Sequence, residues 1–255
     1  MNIDSLVRKN ILKLKPYTSA RGDYLTGILL DANENSFGSV VEDKWNIELN
    51  RYPDPSHNSL REELSKYLKV GKENLFVGVG SDEIIDLIIR IFCEPKIDNA
   101  ITLEPTYGMY KVACDVNDVP VIPVMLNKLF QLDLDEVYDA ITKNTKLVFI
   151  CSPNNPTGGI IDHKSILELA KNFNGIVVVD EAYIEFAEEH SLIEVVQEYS
   201  NIVVARTFSK AWGLAGVRCG YCVTSPEITR LLYKIKLPYN INKLTSQVVL
   251  NALKN

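Results

Sequence analysis

Cysteine is scarce in this chain: 5 in 255 residues, too few and odd in number for a disulfide scaffold. Cys219 and Cys222 do form a C-x-x-C in "CGYC", but no second pair completes a zinc site. The flanking "VRCGYCVT" has the pattern of a strand, in which the two side chains need not share a face. Buried structural cysteines are the expectation. Long apolar runs are also missing, and none approaches a membrane span. The N-terminal "MNIDSLVRKN" has no apolar core of signal-peptide length, so the expected setting is the cytoplasm. Positive charge is in deficit, with 27 Lys and Arg against 33 Asp and Glu and a net charge of -6. That balance argues against a nucleic-acid or polyanion partner. There is no internal repeat and no low-complexity segment.

What is present is ordinary globular composition, 46% hydrophobic and 24% charged, in a chain long enough to bury a substantial core. Short apolar runs end at turn signals: "NLFVGVG", "AITLEP", "KLVFICSPNNPTG", "GIVVVDEAY", "NIVVARTFSK" and "GYCVTS". Helical patterns lie between several of them. "SDEIIDLIIRIFC" carries Ile84, Ile85, Ile88 and Ile91 on one face, and "HKSILELAKNF" and "SLIEVVQEYS" read as shorter helices. This alternation predicts an α/β fold, a mostly parallel central sheet with helices on both faces. Residues 1–45 differ. "YTSARGDYLTGILLDANENSFG" is irregular, with one expected strand at Ile28 to Asp31, and reads as an N-terminal arm and part of a small domain. Residues 46–240 form the expected large domain. Residues 241–255 begin a connection onward.

In such a sheet, function collects at the carboxyl ends of the strands, and several polar groups fall there. "GVGSDE" sets Gly78 and Gly80 before Ser81, Asp82 and Glu83 at a helix start. Free N–H groups there can hold a phosphate, and the same residues also make an ordinary N-terminal turn with favourable charge. Asp180 ends the apolar strand "VVVD" as a helix cap, a metal ligand or the partner of a cation. With no His or Cys cluster beside it, the metal option is poor. "SPNNPTG" is a tight turn on any reading, and Asn155 in it is placed to donate to a ligand.

Lys210 follows the strand "NIVVARTFS". Thr207 and Ser209 offer hydroxyls beside it, and Arg218 a planar cation suited to phosphate. A free lysine titrates near ~10.4 and is a poor nucleophile at neutral pH. Partial burial and a nearby cation would lower that value. A strand-end lysine, phosphate donors and a neighbouring strand-end aspartate together suit pyridoxal 5'-phosphate, which needs an amine for its aldehyde, an acid for its ring nitrogen and an anion cup.

The stretches "PYTSARG", "DANEN", "RYPDP", "GVGSDEIIDLIIRIFCEP", "PTYGMY", "CSPNNPTG", "VVDEAYIEF" and "RTFSKAWGLAGVRCGY", in this order, resemble the fold-type I pyridoxal-phosphate aminotransferases. The set with "PTYGMY" and "DEAYIEF" together resembles the histidinol-phosphate group of that family. The resemblance implies that Lys210 carries the cofactor and moves the proton between the substrate α-carbon and the cofactor's C4'. It implies that Asp180 pairs with the ring nitrogen and that Tyr183 and Asn155 bond the ring's O3'. Tyr107 would stack on the ring face. The Ser81 and Asp82 backbone, Thr207, Ser209 and Arg218 would form the phosphate cup. Tyr52 would reach the cofactor of a neighbouring subunit, making a homodimer with shared sites; without the resemblance it reads as a surface aromatic before a Pro turn. Tyr17 and Asn33 match positions near the substrate.

The implied reaction moves an amino group between glutamate or 2-oxoglutarate and imidazole-acetol phosphate or histidinol phosphate, in histidine biosynthesis. The alternatives are a related aminotransferase, a phospho-amino-acid decarboxylase, or a cofactor-binding chain without turnover. The last arises because the resemblance implies on the order of a hundred further residues that complete a small domain. Those residues would supply a substrate-gripping arginine that nothing in this chain matches.

Overall fold

The computed structural model describes residues 1–16, 39 and 47–254. Residues 17–38 and 40–46, where most of the expected N-terminal arm, the strand at Ile28 to Asp31, Tyr17 and Asn33 fall, lie outside the described residues.

Among the described residues, seven strands form one sheet: β1 (Leu75–Gly78), β2 (Asn99–Glu104), β3 (Val121–Met125), β4 (Thr145–Cys151), β5 (Ile176–Asp180), β6 (Ile202–Thr207) and β7 (Gly220–Thr224). Their order is β1-β7-β6-β5-β4-β2-β3. The pairs from β3 through β6 are parallel, and β7 runs antiparallel to both β6 and β1. β4, β5 and β6 read as nearly continuous apolar runs because helices cover both faces of a parallel sheet. Edge strand β3 carries Pro123, tolerated where one side of the backbone has no strand to bond.

The helices are α1 (Lys9–Lys13), α2 (Asn58–Leu68), α3 (Gly80–Phe92), α4 (Met109–Val116), α5 (Leu134–Ala140), α6 (His163–Asn172), α7 (Pro226–Ile235) and α8 (Lys243–Leu253). Their starts follow local chemistry. Asp133, Asp162, Ser225 and Asn242 each accept a hydrogen bond from a first-turn N–H of α5, α6, α7 and α8, and Pro226 stands where α7 needs no donor. The segment "SLIEVVQEYS", expected as a short α-helix, is instead a 3-10 helix at Ile193–Glu198. Its buried residues Ile193 and Val196 are three apart, the spacing that a three-residue turn brings to one side.

Strand alternation divides the core in two. On one face, Val177, Val179, Ile202 and Val204 pack with Leu60 and Leu64 of α2, Ile166 and Leu169 of α6 and Val249 of α8. On the other, Ile176, Val178, Val203 and Ala205 pack with Ile84, Ile85, Ile88 and Ile91 of α3, Tyr110 of α4 and Ile228 of α7. Ile3, Leu6 and Val7 join this second cluster, and the Arg8 N–H bonds the Ile91 carbonyl. Cys219 lies in the first cluster and Cys222 in the second, on opposite faces, and all 5 cysteines are free and buried. Among the described residues, no helix is long and apolar enough to cross a membrane.

Candidate active site

The carboxyl ends of β1, β2, β4, β5 and β6 lie along one edge of the sheet. Because β7 is antiparallel, the chain re-enters at that edge through Arg218, just before Gly220. A cavity of about 120 Å³ there is lined by Ser81, Asp82, Tyr107, Cys151, Asp180, Ala182, Tyr183, Thr207, Ser209, Lys210 and Arg218. Nine of these residues are among those singled out from the sequence; Cys151 and Ala182 are not. Asn155 stands beside the group and donates from Nδ2 to the Tyr183 hydroxyl at 3.4 Å. Tyr52 does not line this cavity. It stacks on Tyr239 with centroids 4.4 Å apart and borders a different depression with Arg51, Pro53 and Lys243.

Asp180 is buried, 3% exposed. Its Oδ2 accepts from the Tyr110 hydroxyl at 2.8 Å and its Oδ1 from the Ala182 N–H at 3.0 Å. Burial is the main influence on the carboxyl and pushes it up to about 6; the two hydrogen bonds oppose the rise, and the Asp82 and Glu181 charges add to it. Among the described residues, no cation pairs with this buried carboxylate.

Across the cavity, the Lys210 Nζ lies 5.3 Å from the centre of the Tyr183 ring, within reach of a cation–π contact. Lys210 is exposed, not partly buried as expected. The turn after β6 buries Phe208 and carries the lysine outward past it.

The anion side is built from a helix start and a returning turn. The first N–H groups of α3 have no partner within the helix. Arg218 donates from Nη1 to the Ser209 hydroxyl at 3.1 Å, and its Nη2 lies 3.6 Å from an Asp82 carboxylate oxygen. Thr207 and Ser209 share a hydroxyl bond of 3.0 Å. Arg218 has φ 53°, a conformation that costs a non-glycine residue about 1–2 kcal/mol and turns its side chain back toward α3. Gly220 is required here: a Cβ would meet the Gly80 carbonyl carbon at 2.6 Å and the Ser81 nitrogen at 2.7 Å. The expected cofactor fits this donor set: a buried carboxylate short of a cation, an amine at the rim, and an anion cup of N–H groups, hydroxyls and a guanidinium. Among the described residues, no group of three or more His, Cys, Asp or Glu is placed to hold a metal.

Two features escaped the sequence reading. Tyr110, the second tyrosine of "PTYGMY", is fully buried against Phe149 and bonded to Asp180; its place three residues after Tyr107, across the start of α4, is the signal that could have found it. The second is a buried ion pair, Glu181 with Arg206 at 2.9 Å. Strand alternation carries that pair to the opposite face from Asp180 and Thr207.

A family model described as aminotransferase class I and II matches residues 26–255. A histidinol-phosphate aminotransferase of Cytophaga hutchinsonii is 48% identical over all of this chain and 72% of its own length. The solved histidinol-phosphate aminotransferase from Clostridium acetobutylicum shares 27% identity at a TM-score of 0.73 over 81% of this chain. The one from Sinorhizobium meliloti, in complex with pyridoxal-5'-phosphate, shares 26% at 0.75 over 81%. The chain spans 62% and 57% of those two solved chains.

Proposed function

The chain belongs to the aminotransferase class I and II family, and on that premise we propose that it binds pyridoxal 5'-phosphate and transfers an amino group between glutamate or 2-oxoglutarate and imidazole-acetol phosphate or histidinol phosphate, a step of histidine biosynthesis. The observation that carries the reading is the meeting of Asp180, Lys210 and Arg218 around one cavity at the carboxyl edge of the sheet. The choice of substrate rests on the relative that is 48% identical across the whole chain.

Bound there, the cofactor supplies an aldehyde for amine exchange and a ring that draws electrons from the substrate's α-carbon. Lys210 is the amine that would hold the cofactor through its aldehyde and, when free, the base that would carry a proton between the substrate's α-carbon and C4'. Asp180 would pair with the ring nitrogen and keep a proton on it, and that cation would offset its own buried charge. Tyr183 and Asn155, which bond each other at 3.4 Å, would both bond O3'. Tyr107 would pack against the ring face. The α3 N-terminus at Ser81 and Asp82, Thr207, Ser209 and Arg218 hold the phosphate. Tyr17 and Asn33 serve the substrate. Tyr52 lies outside its own chain's cavity, which supports its use by the neighbour's site and hence a homodimer, working in the cytoplasm.

Borohydride reduction of the cofactor-loaded protein, followed by peptide mass spectrometry, tests the core of this reading. The label is expected on Lys210 and absent from Lys210→Ala; a label on another lysine overturns the assignment. Adding histidinol phosphate without a keto acid is expected to convert the bound cofactor to its pyridoxamine form, followed by absorbance. Conversion by other amino donors alone, or release of carbon dioxide, would replace the substrate or the reaction while leaving the cofactor site standing.

A further inference from the structure

Tyr110 has no role in the reading above, yet it is tied to the centre of the site. Its ring is stacked on Phe149, 5.0 Å between centroids and 7° from parallel, and meets the edge of Tyr107 at 5.6 Å. A phenylalanine would fill the same space. The hydroxyl is therefore the informative atom, because burying it costs free energy unless it is bonded. It donates to one carboxylate oxygen, Oδ2 of Asp180, at 2.8 Å, and has the Cys151 thiol as a second polar neighbour. With the Ala182 N–H on Oδ1, each oxygen of Asp180 is held by one donor from the protein.

The charges around Asp180 set what that hydroxyl does. Asp82 at the start of α3 and Glu181 beside it disfavour the anion. Tyr107, Cys151 at the end of β4 and Lys210 line the same cavity. Burial and two like charges thus favour a protonated carboxyl, and the Tyr110 and Ala182 donors oppose them. A carboxyl that keeps the proton cannot leave it on a pyridine nitrogen. A donor on Oδ2 makes the carboxylate a weaker base and leaves the proton with the ring.

We propose that Tyr110 is a positioning residue that fixes the Asp180 carboxylate toward the cavity and keeps it anionic, so that the shared proton rests on the cofactor's ring nitrogen. This inference rests on the cofactor reading of the site.

Equilibrium dialysis of pyridoxal phosphate against the full chain, from pH 5 to 8, tests it. Y110F removes one oxygen atom and leaves the stack on Phe149. It is expected to weaken binding about tenfold at pH 7 and to raise by about one pH unit the point at which affinity falls on the acid side. In a D180N background, where no carboxylate remains, Y110F is expected to add less than about a twofold loss, the coupling that marks two groups acting as one. A purely structural tyrosine would instead give losses that multiply in the double variant and an unmoved pH profile. Either result overturns the proposal, as does a Y110F affinity equal to that of the unaltered chain while D180N alone is impaired. If the unaltered chain binds no pyridoxal phosphate, the cofactor reading itself falls, and this inference with it.

Discussion

Asp180 and Glu181 are consecutive carboxylates, 3% and 1% exposed, and the fold treats them in opposite ways. Glu181 points to the α2 and α6 face, where the Arg206 Nε and Nη2 meet its Oε2 at 3.0 and 2.9 Å, and the Leu192 N–H and the Ser191 hydroxyl complete its partners. Asp180 points to the α3 and α4 face and receives hydrogen bonds only, from a phenol and an amide. Burial raises both carboxyls, and in Glu181 the Arg206 charge is the largest influence opposing it. One charge is balanced inside the fold; the other is left for something that enters the cavity. The edge of the sheet that carries the candidate site is thus recognisable by an electrostatic deficit as well as by a depression in the surface.

Removing the balanced charge should do the most damage to stability. Glu181→Ala leaves Arg206 buried and unpaired, at a cost of about 3–5 kcal/mol. The cofactor-free protein should melt on the order of 10 °C lower in calorimetry. An unchanged melting temperature would mean that the pair is not balanced in the sense argued above.

Asp180→Asn should act in the other direction, and with a pH dependence. In the fold this carboxyl titrates at about 6; in the unfolded chain it titrates near about 3.9. The native state therefore holds the proton over the higher range. Stability from this group is greatest below about pH 4, falls as pH rises through 4 to 6, and stays low above that. The asparagine variant lacks this fall. Its advantage in unfolding free energy over the cofactor-free parent should grow by roughly 2 kcal/mol between pH 4 and pH 7, read by urea denaturation at each pH. With pyridoxal phosphate present the order should reverse, since the variant loses the stabilisation that comes with tight binding. A flat difference across pH would show that Asp180 already has its counter-charge, and the contrast with Glu181 would be lost.

Much of this contrast was legible one residue at a time. The apolar runs ending at Gly78, Cys151, Asp180 and Thr207 marked strands and placed their ends at one edge, and the order of motifs gave the family. Lys210 and Arg218 could be joined because the seven residues between them, four of them glycine or alanine, are enough for a turn back to the same edge. Strand β3 was not singled out, since Pro123 interrupts its pattern. The 3-10 helix at Ile193–Glu198 was misread because its apolar spacing also suits an α-helix. The Lys210 exposure could not be read, because burial after a strand end depends on what packs over the turn. Tyr110 and the Glu181–Arg206 pair were missed for a shared reason: each depends on which face a strand end presents, and the partner of each carboxylate is distant in the chain.

The smallest effect bears most directly on whether the two faces are independent. The Ser191 hydroxyl accepts from Arg206 Nη2 at 2.6 Å and from the Ile193 N–H at 3.1 Å, and donates to Glu181 Oε2 at 3.0 Å. Ser191→Ala removes these contacts while leaving the ion pair, at a cost of about 1–2 kcal/mol, or a melting temperature lower by a few degrees. Because the serine, the arginine and Glu181 all lie on the side of the sheet away from Tyr110, pyridoxal phosphate affinity should be unchanged. A weakened affinity in S191A would mean that the peptide between residues 180 and 181 transmits the loss. Asp180 would then owe its aim to the ion pair behind it, and the two carboxylates would form one device with a balanced half and an open half.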